Sequence, residues 1–409
     1  MRSAIEVRVV TTSAATNLSD GILRLALPLL AIRSGASPFE VSLLVGALLA
    51  PWLLGSLLAG VVIDRSRKSS LIRASNAIRA VVLAGLLVGV VMTSAAPPLP
   101  LLLTVALMCG FSEIFSDLSA QSAVPQIVSD ERLDSVYGRV SVVQNTSNTL
   151  VGPALGGLLF NWSPPMALVF VIVSYLSAVA IFPTTPASER RATRGVAAFA
   201  KEVGGGLAAI RADSWLVRAV TAVGAMNFAS GASLAVLVSY AVSAEGLRLS
   251  SVEYGLLLGC SGVGSVLGGL LVSGVIKRTG ATAAVMIGAL ALTVNIGAPS
   301  VSTNPFVIGA LMLLCSAAGM LFAIQVISAR QRRVPADLRG RVNAAFQLVG
   351  LGSAPLGAIA GGAAASLVGQ RPIFILFAAA AATIVLIARP WRLNEVPAPN
   401  VETIADESR

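Results

Sequence analysis

The sequence predicts an all-α membrane protein of twelve transmembrane helices, arranged as two parallel six-helix pseudo-repeats. Apolar runs long enough to cross a bilayer recur along the whole chain. Lys and Arg collect on alternate loops between those runs. The segments 39–65 and 252–278 align at one constant offset. Composition agrees: the 409 residues are 56% hydrophobic and only 12% charged, with mean hydropathy +0.84. Average soluble domains carry roughly 25% charged residues.

A spanning helix needs about 20 mostly apolar residues. The first six such runs lie near 9–32, 40–63, 71–93, 99–124, 136–160 and 165–183. The run in 9–32 contains Asn17 and Asp20 and continues to Ile32. It is too long and too polar for the h-region of a signal peptide. The stretch 184–214 is more polar and basic, with Arg190, Arg191, Arg194, Lys201 and Arg211. It reads as a cytoplasmic linker carrying a surface helix from about 196. Six further runs follow near 215–242, 252–276, 281–298, 304–328, 339–365 and 371–389. The predicted organisation is a bundle over 1–183, the linker 184–214, a second bundle over 215–392 and a cytoplasmic tail over 393–409.

Orientation follows from the basic residues. Of 29 Lys and Arg, 24 fall on one side of this arrangement. Only Arg33, Arg248 and Arg371 fall on the other, while Arg24 and Arg79 lie within spans. The positive-inside rule then places both termini in the cytoplasm of a cell whose inner membrane holds the protein. The net charge of +10 is thereby explained without nucleic acid.

Cys109, Cys260 and Cys315 lie inside apolar runs and read as core residues, and there is no histidine. No metal site or cofactor is expected. Any proton chemistry falls to carboxylates. No Walker A run or G-x-S-x-G elbow is present, so neither ATP-driven transport within this chain nor membrane-embedded catalysis has visible apparatus.

The internal repeat is specific. At one offset Glu40 matches Glu253, Gly46 matches Gly259, Gly55 matches Gly268 and Arg65 matches Arg278. At a second, the GRV of 138–140 matches that of 340–342, and Pro153 matches Pro355. Each pair places corresponding helices of the two halves in parallel, which implies a path between the halves.

These residues resemble the major facilitator superfamily over nearly the whole chain. GVVIDRSRKSSLIR, after the second span, resembles motif A and supplies Gly60, Asp64, Arg65 and Lys68, with Arg67 where the motif has Gly. NTLVGPALGG in the fifth span resembles motif C, a mark of exporting branches. It supplies Gly152, Pro153, Gly156 and Gly157, with Asn148 replacing the first Gly. The stretches 17–31, 51–65 and 110–128 look like the enterobactin-exporter and macrolide-efflux branch. The resemblance implies a monomeric secondary transporter in the lipid bilayer. It would export an amphipathic small molecule, a drug or siderophore-like compound, in exchange for protons. Import of a nutrient and a non-transporting receptor are the alternatives.

Physically, Asp64 at the end of a span and among cations suits a latch that bonds helix ends in one state and releases them in another. The plain alternative for its basic neighbours is anchoring at the membrane surface. Gly152 and Pro153 predict a kink, and Gly156 and Gly157 a close helix contact. The intramembrane charges are Asp20, Arg24, Glu113 and Asp117. Each costs about 2.5–3.5 kcal/mol at mid-helix, so each needs a cavity or a partner. Asp20 and Arg24 share one face of span 1, and Glu113 and Asp117 one face of span 4. Asp20 and Glu113 lie roughly 16 Å, and Asp117 ~10 Å, from the inner boundary. The resemblance puts spans 1 and 4 around one chamber. Glu113, Asp20 and Arg24 are therefore the expected proton-coupling cluster, or else a fixed ion pair. Asp117 is expected to meet a motif A arginine. Asn17, Asn145, Asn227 and Gln325 are the expected polar groups of the substrate cavity, or bonds between helices.

Overall fold

The structure, a computed structural model, describes residues 2–93, 96–185, 196–335 and 338–391. Spans 1 to 4 are Arg2–Arg33, Pro38–Arg65, Lys68–Thr93 and Leu99–Ile127. Span 5 has three parts, Asp130–Thr146, a π-helical Ser147–Val151 and Gly152–Trp162, and span 6 is Pro164–Ile181. A linker helix, Val196–Ala212, follows. Spans 7 to 12 are Ser214–Val242, Ser251–Thr279, Ala281–Val301, Pro305–Arg333, Arg339–Val368 and Gln370–Ala388. All twelve expected spans are present. Span 1 departs furthest from expectation by starting at Arg2. The tail beyond 391 and most of the basic part of the linker lie outside the described residues.

Ten of these helices are individually long and apolar enough to cross a membrane. Among the described residues span 2 is apolar over Pro38–Leu53, and its sequence stays apolar to Ile63. Span 5 is interrupted, and its first part carries Arg132, Asp134 and Arg139. The outward faces carry large apolar side chains: Phe306 and Leu367 are each 85% exposed and Met92 79%. Such a surface suits lipid, because water would penalise a continuous apolar coat of this size. The chain is a multi-pass membrane protein.

The repeat has a structural cause. Ser37 caps span 2 and Ser250 caps span 8, and in both the Glu three residues on returns a bond to the cap backbone. Glu40 and Glu253 thus complete matching capping boxes, which fix where the two helices begin. The repeat also extends to the contacts between the two sets of spans. Span 2 packs on span 11, where a Cβ on Gly46 would meet the Pro355 carbonyl at 3.5 Å. Span 8 packs on span 5, where a Cβ on Gly255 would meet the Pro153 carbonyl. The matched prolines Pro153 and Pro355 stand in these two interfaces between corresponding spans, as two parallel six-helix repeats require.

All these contacts sit toward one end of the bundle. Gly362 faces Ser42, Gly157 faces Ser251, and Gly262 faces Thr149. The Ser42 hydroxyl also donates to the Ala235 carbonyl of span 7 at 3.4 Å. Among the described residues no comparable packing joins spans 4 and 10. The two sets of spans are therefore closed against each other at the end bearing the turns at 34–37, 163 and 369.

Motif C residues build part of that closure. Gly156 lies against the Ile22 backbone of span 1, and Gly157 against Ser251 and Val252 of span 8. Pro153 has no N–H to donate. The turn before it widens, with the Gly152 N–H reaching back to the Ser147 carbonyl. The expected kink is thus a π-helical turn. A Cβ on Gly157 would overlap the Ser251 carbonyl, which is backbone and cannot swing away. Overpacking costs about 1–3 kcal/mol. Gly157→Val should therefore shift the balance away from this closed contact about ten- to hundredfold. Pulsed-EPR distances between labels at Trp162 and Arg248 should lengthen, and unchanged distances would count against a gating contact here.

Candidate functional site: a cavity with a buried ion network behind it

A cavity of about 350 Å³ lies between the two sets of spans. Span 1 contributes Gly21, Arg24, Leu25 and Pro28, and span 2 contributes Val45, Leu48 and Leu49. Asn148, Thr149 and Pro153 come from span 5. The opposite wall presents Ser230, Ser233, Leu237, Tyr254, Ser261, Ser265, Asn295 and Met312 among others. The π-helical turn explains the span 5 contribution. It re-aims Asn148 and Thr149 one position around the helix from where an unbroken α-helix would carry them.

Arg24 is the charged residue of this lining. Its side chain is 39% exposed, and that of Glu113 behind it is 9% exposed. Arg24 Nη2 donates to Glu113 Oε1 at 2.6 Å, and Nη1 donates to Asn148 Oδ1 at 3.0 Å. Spans 1, 4 and 5 are thereby joined at one guanidinium.

Asp20 goes elsewhere. Arg79 Nη1 of span 3 donates to Asp20 Oδ1 at 2.6 Å, and the Tyr175 hydroxyl of span 6 donates to the same oxygen at 2.6 Å. Both charged side chains are essentially closed to solvent, at 0% for Arg79 and 2% for Asp20. The Arg79 guanidinium lies over the Tyr175 ring, 4.3 Å from its centre. Arg79 Nη2 donates to Asn76 Oδ1 at 2.9 Å, and Asn76 Nδ2 reaches Ser116 of span 4 at 3.3 Å. Asp20 Oδ2 and Arg79 Nε are buried without a hydrogen-bond partner among the described residues. The attraction of the two charges must therefore offset an incomplete set of hydrogen bonds.

The expected group of Glu113, Asp20 and Arg24 thus divides. Arg24 serves Glu113, and Asp20 is held by Arg79 and Tyr175, neither of which is among the expected site residues. Four residues along a helix turn a side chain by about 40° relative to its starting direction. That is enough for Asp20 to enter the first bundle while Arg24 faces the cavity. The motif A arginine expected to meet Asp117 is Arg65, and Gly60 and the side chains of Asp64 and Arg65 lie outside the described residues. Lys68 is buried, and its ammonium caps the end of span 2 through the Ile63 carbonyl and, at 3.4 Å, the Ser66 carbonyl.

None of Asn17, Asn145, Asn227 and Gln325 lines this cavity. Asn17 is buried and donates to the Ser13 carbonyl at 3.0 Å. Asn227 donates to Val223 of its own helix at 2.9 Å and faces Gly350 of span 11. Gln325 is buried in span 10, and Asn145 is exposed on span 5. The cavity amides are Asn148 and Asn295 instead. Asn148 carried a signal in the sequence, because a polar residue stands there where motif C has Gly.

The sequence profile of the Major Facilitator Superfamily matches residues 9–357. The chain belongs to this superfamily. No curated protein sequence matches it. Among solved structures, the fold is similar to that of the nucleoside transporter NupG, with TM-score 0.78 and 12% identity over 95% of this chain and 100% of that one. It is also similar to a bacterial homologue of the iron transporter ferroportin in an inward-facing state, with TM-score 0.71 and 16% identity over 95% and 97% of the two chains. A bacterial homologue of the human lysosomal transporter Spinster, inward-facing and occupied, gives TM-score 0.72 and 13% identity over 97% and 99%. At these identities the likeness is one of fold. Family membership makes the chain a membrane transporter for a small molecule.

Proposed function

We propose that the chain is a proton-coupled secondary transporter that exports an amphipathic small molecule by alternating access. The observation that carries this is the Arg24–Glu113 pair at the wall of a cavity between two sets of spans. Glu113 is the group that takes and releases the proton, Arg24 senses its charge, and Asp20 with Arg79 holds span 1 in place. Asp117, one turn from Glu113, offers the proton a second station. With the positive-inside orientation, the closed end is the outer one and both termini are cytoplasmic. The present conformer is then inward-facing, in the inner membrane of the cell. Motif C, built here into the closed contact, supports export and the likeness to drug and siderophore exporters. Flux of a dye panel into inverted vesicles with an acid interior tests direction, and dye movement only out of them would refute export.

A second reading has its own observation. Arg24 and Glu113 form one pair, so an anion on Arg24 and a proton on Glu113 favour each other. Loaded together they would move the same way, as in proton-driven import of a nutrient. The vesicle experiment separates the two readings.

Motif A belongs to the same proposal. Asp64, at the end of span 2, biases one gate state through its charge. Asp64→Asn should leave folding intact and slow transport strongly, by about tenfold for each 1.4 kcal/mol of lost bias. Normal turnover in that variant would leave span 2 as a packing element only.

A further inference from the structure

We infer that the cavity takes an organic anion, an amphipathic molecule whose carboxylate or similar acid group docks on the Arg24 guanidinium. The inference rests on the reading of this cavity as a transport site, in either direction, and names its cargo class; an anion that loads together with the Glu113 proton favours the import reading. Among the described residues, Arg24 is the one charged side chain lining the cavity. The acids near it point away or are covered: Asp20 is bound to Arg79 inside the first bundle, and Glu113 lies behind Arg24. A cation entering this space loses its water and meets a guanidinium rather than a carboxylate, so it is excluded.

Arg24 has capacity left. A guanidinium carries five N–H donors in a planar fork. Its hydrogen bonds among the described residues use Nη1 once and Nη2 once. The remaining donors belong to a side chain that is 39% exposed. A planar carboxylate matches such a fork. Leu48, Leu237 and Met312 supply apolar wall on either side. The volume of about 350 Å³ falls within the range of small-molecule sites.

The test uses the purified full chain in lipid nanodiscs. The probes are 1-naphthaleneacetate, 4-phenylbutyrate and N-acetylphenylalanine, each beside its primary amide and the ammonium compound of the same skeleton. Charge-assisted hydrogen bonds of this kind are worth about ten- to hundredfold in affinity. The carboxylates should therefore bind at least about tenfold more tightly than their amides, and the ammonium compounds weakest. Glu113→Gln should tighten carboxylate binding, since a competing anion is gone. Arg24→Lys should keep part of the preference. The double variant Arg24→Gln with Glu113→Gln leaves no unpaired charge and should bind carboxylate and amide alike. Equal binding of the three forms by the wild type, a carboxylate preference surviving in the double variant, or no carboxylate binding at all would each overturn the inference. Counterflow of the same probes in proteoliposomes is read separately. Charge-blind flux removes the anion site and leaves the transport reading standing. Carboxylate binding without any flux does the reverse.

Discussion

Glu113→Gln should abolish flux driven by a pH gradient while leaving substrate exchange measurable. Glutamine keeps the length of the side chain and can still accept from Arg24, but it cannot lose a proton. In the wild type, each pH unit supplies about 1.4 kcal/mol per proton, and each 100 mV about 2.3 kcal/mol per charge moved. One or two protons therefore sustain a useful gradient, and a variant that carries none retains only downhill exchange. The measurement is uptake into inverted vesicles with an imposed pH gradient, beside counterflow at equal pH on both sides. Loss of the first with survival of the second is expected whether the natural direction is export or import. Full pH-driven uptake by Glu113→Gln would move the proton to another group, with Asp117 the nearest acid on the same helix face, or would point to a different coupling ion.

Much of this architecture was legible in the sequence because a bilayer constrains it. Length and apolarity gave the spans, and Lys and Arg placement gave their alternation. The repeat between 39–65 and 252–278 is visible because the same capping box starts both helices, with Ser37 and Glu40 in one and Ser250 and Glu253 in the other. The π-helical turn before Pro153 was legible only as a kink, since the periodicity around it cannot say how a missing hydrogen bond is absorbed.

The ion network was legible by residue and not by partner. An intramembrane charge announces itself, and Asp20, Arg24 and Glu113 all do. Helical spacing fixes which residues share a face of one helix, but not which neighbouring helix that face meets. Asp20 and Arg24 are four apart, yet one serves spans 3 and 6 and the other serves spans 4 and 5. Charge counting offered the missing hint. Arg79 was already visible as a second cation within a span, and two arginines beside three intramembrane acids allow two pairs with one acid left over. Tyr175 gave no comparable signal, because a tyrosine in a span costs little and needs no charged partner.

That pairing gives the second large expected effect. Arg79→Leu should destabilise the first bundle severely, because it strands the Asp20 carboxylate in a dry interior with only the Tyr175 hydroxyl bonded to it. Removing one partner of a buried pair typically costs about 3–5 kcal/mol. Asp20→Asn should be harmful for the mirrored reason, since Arg79 then has no counter-charge. The double variant Asp20→Asn with Arg79→Leu should be markedly more stable than either single one, because no charge is left unpaired. Tyr175→Phe should cost less, about 1.5–3 kcal/mol, for one hydrogen bond to a charged acceptor. Monodispersity and thermal unfolding of the purified variants provide the measurement. The pattern matters because it separates the two roles open to Asp20. A proton carrier replaced by Asn folds normally and loses only its coupling, as expected for Glu113→Gln. A structural acid replaced by Asn loses stability first, and recovers it when its arginine is removed as well. A stable, uncoupled Asp20→Asn protein would return Asp20 to the proton path, and the Arg79 pair would then have to open during transport.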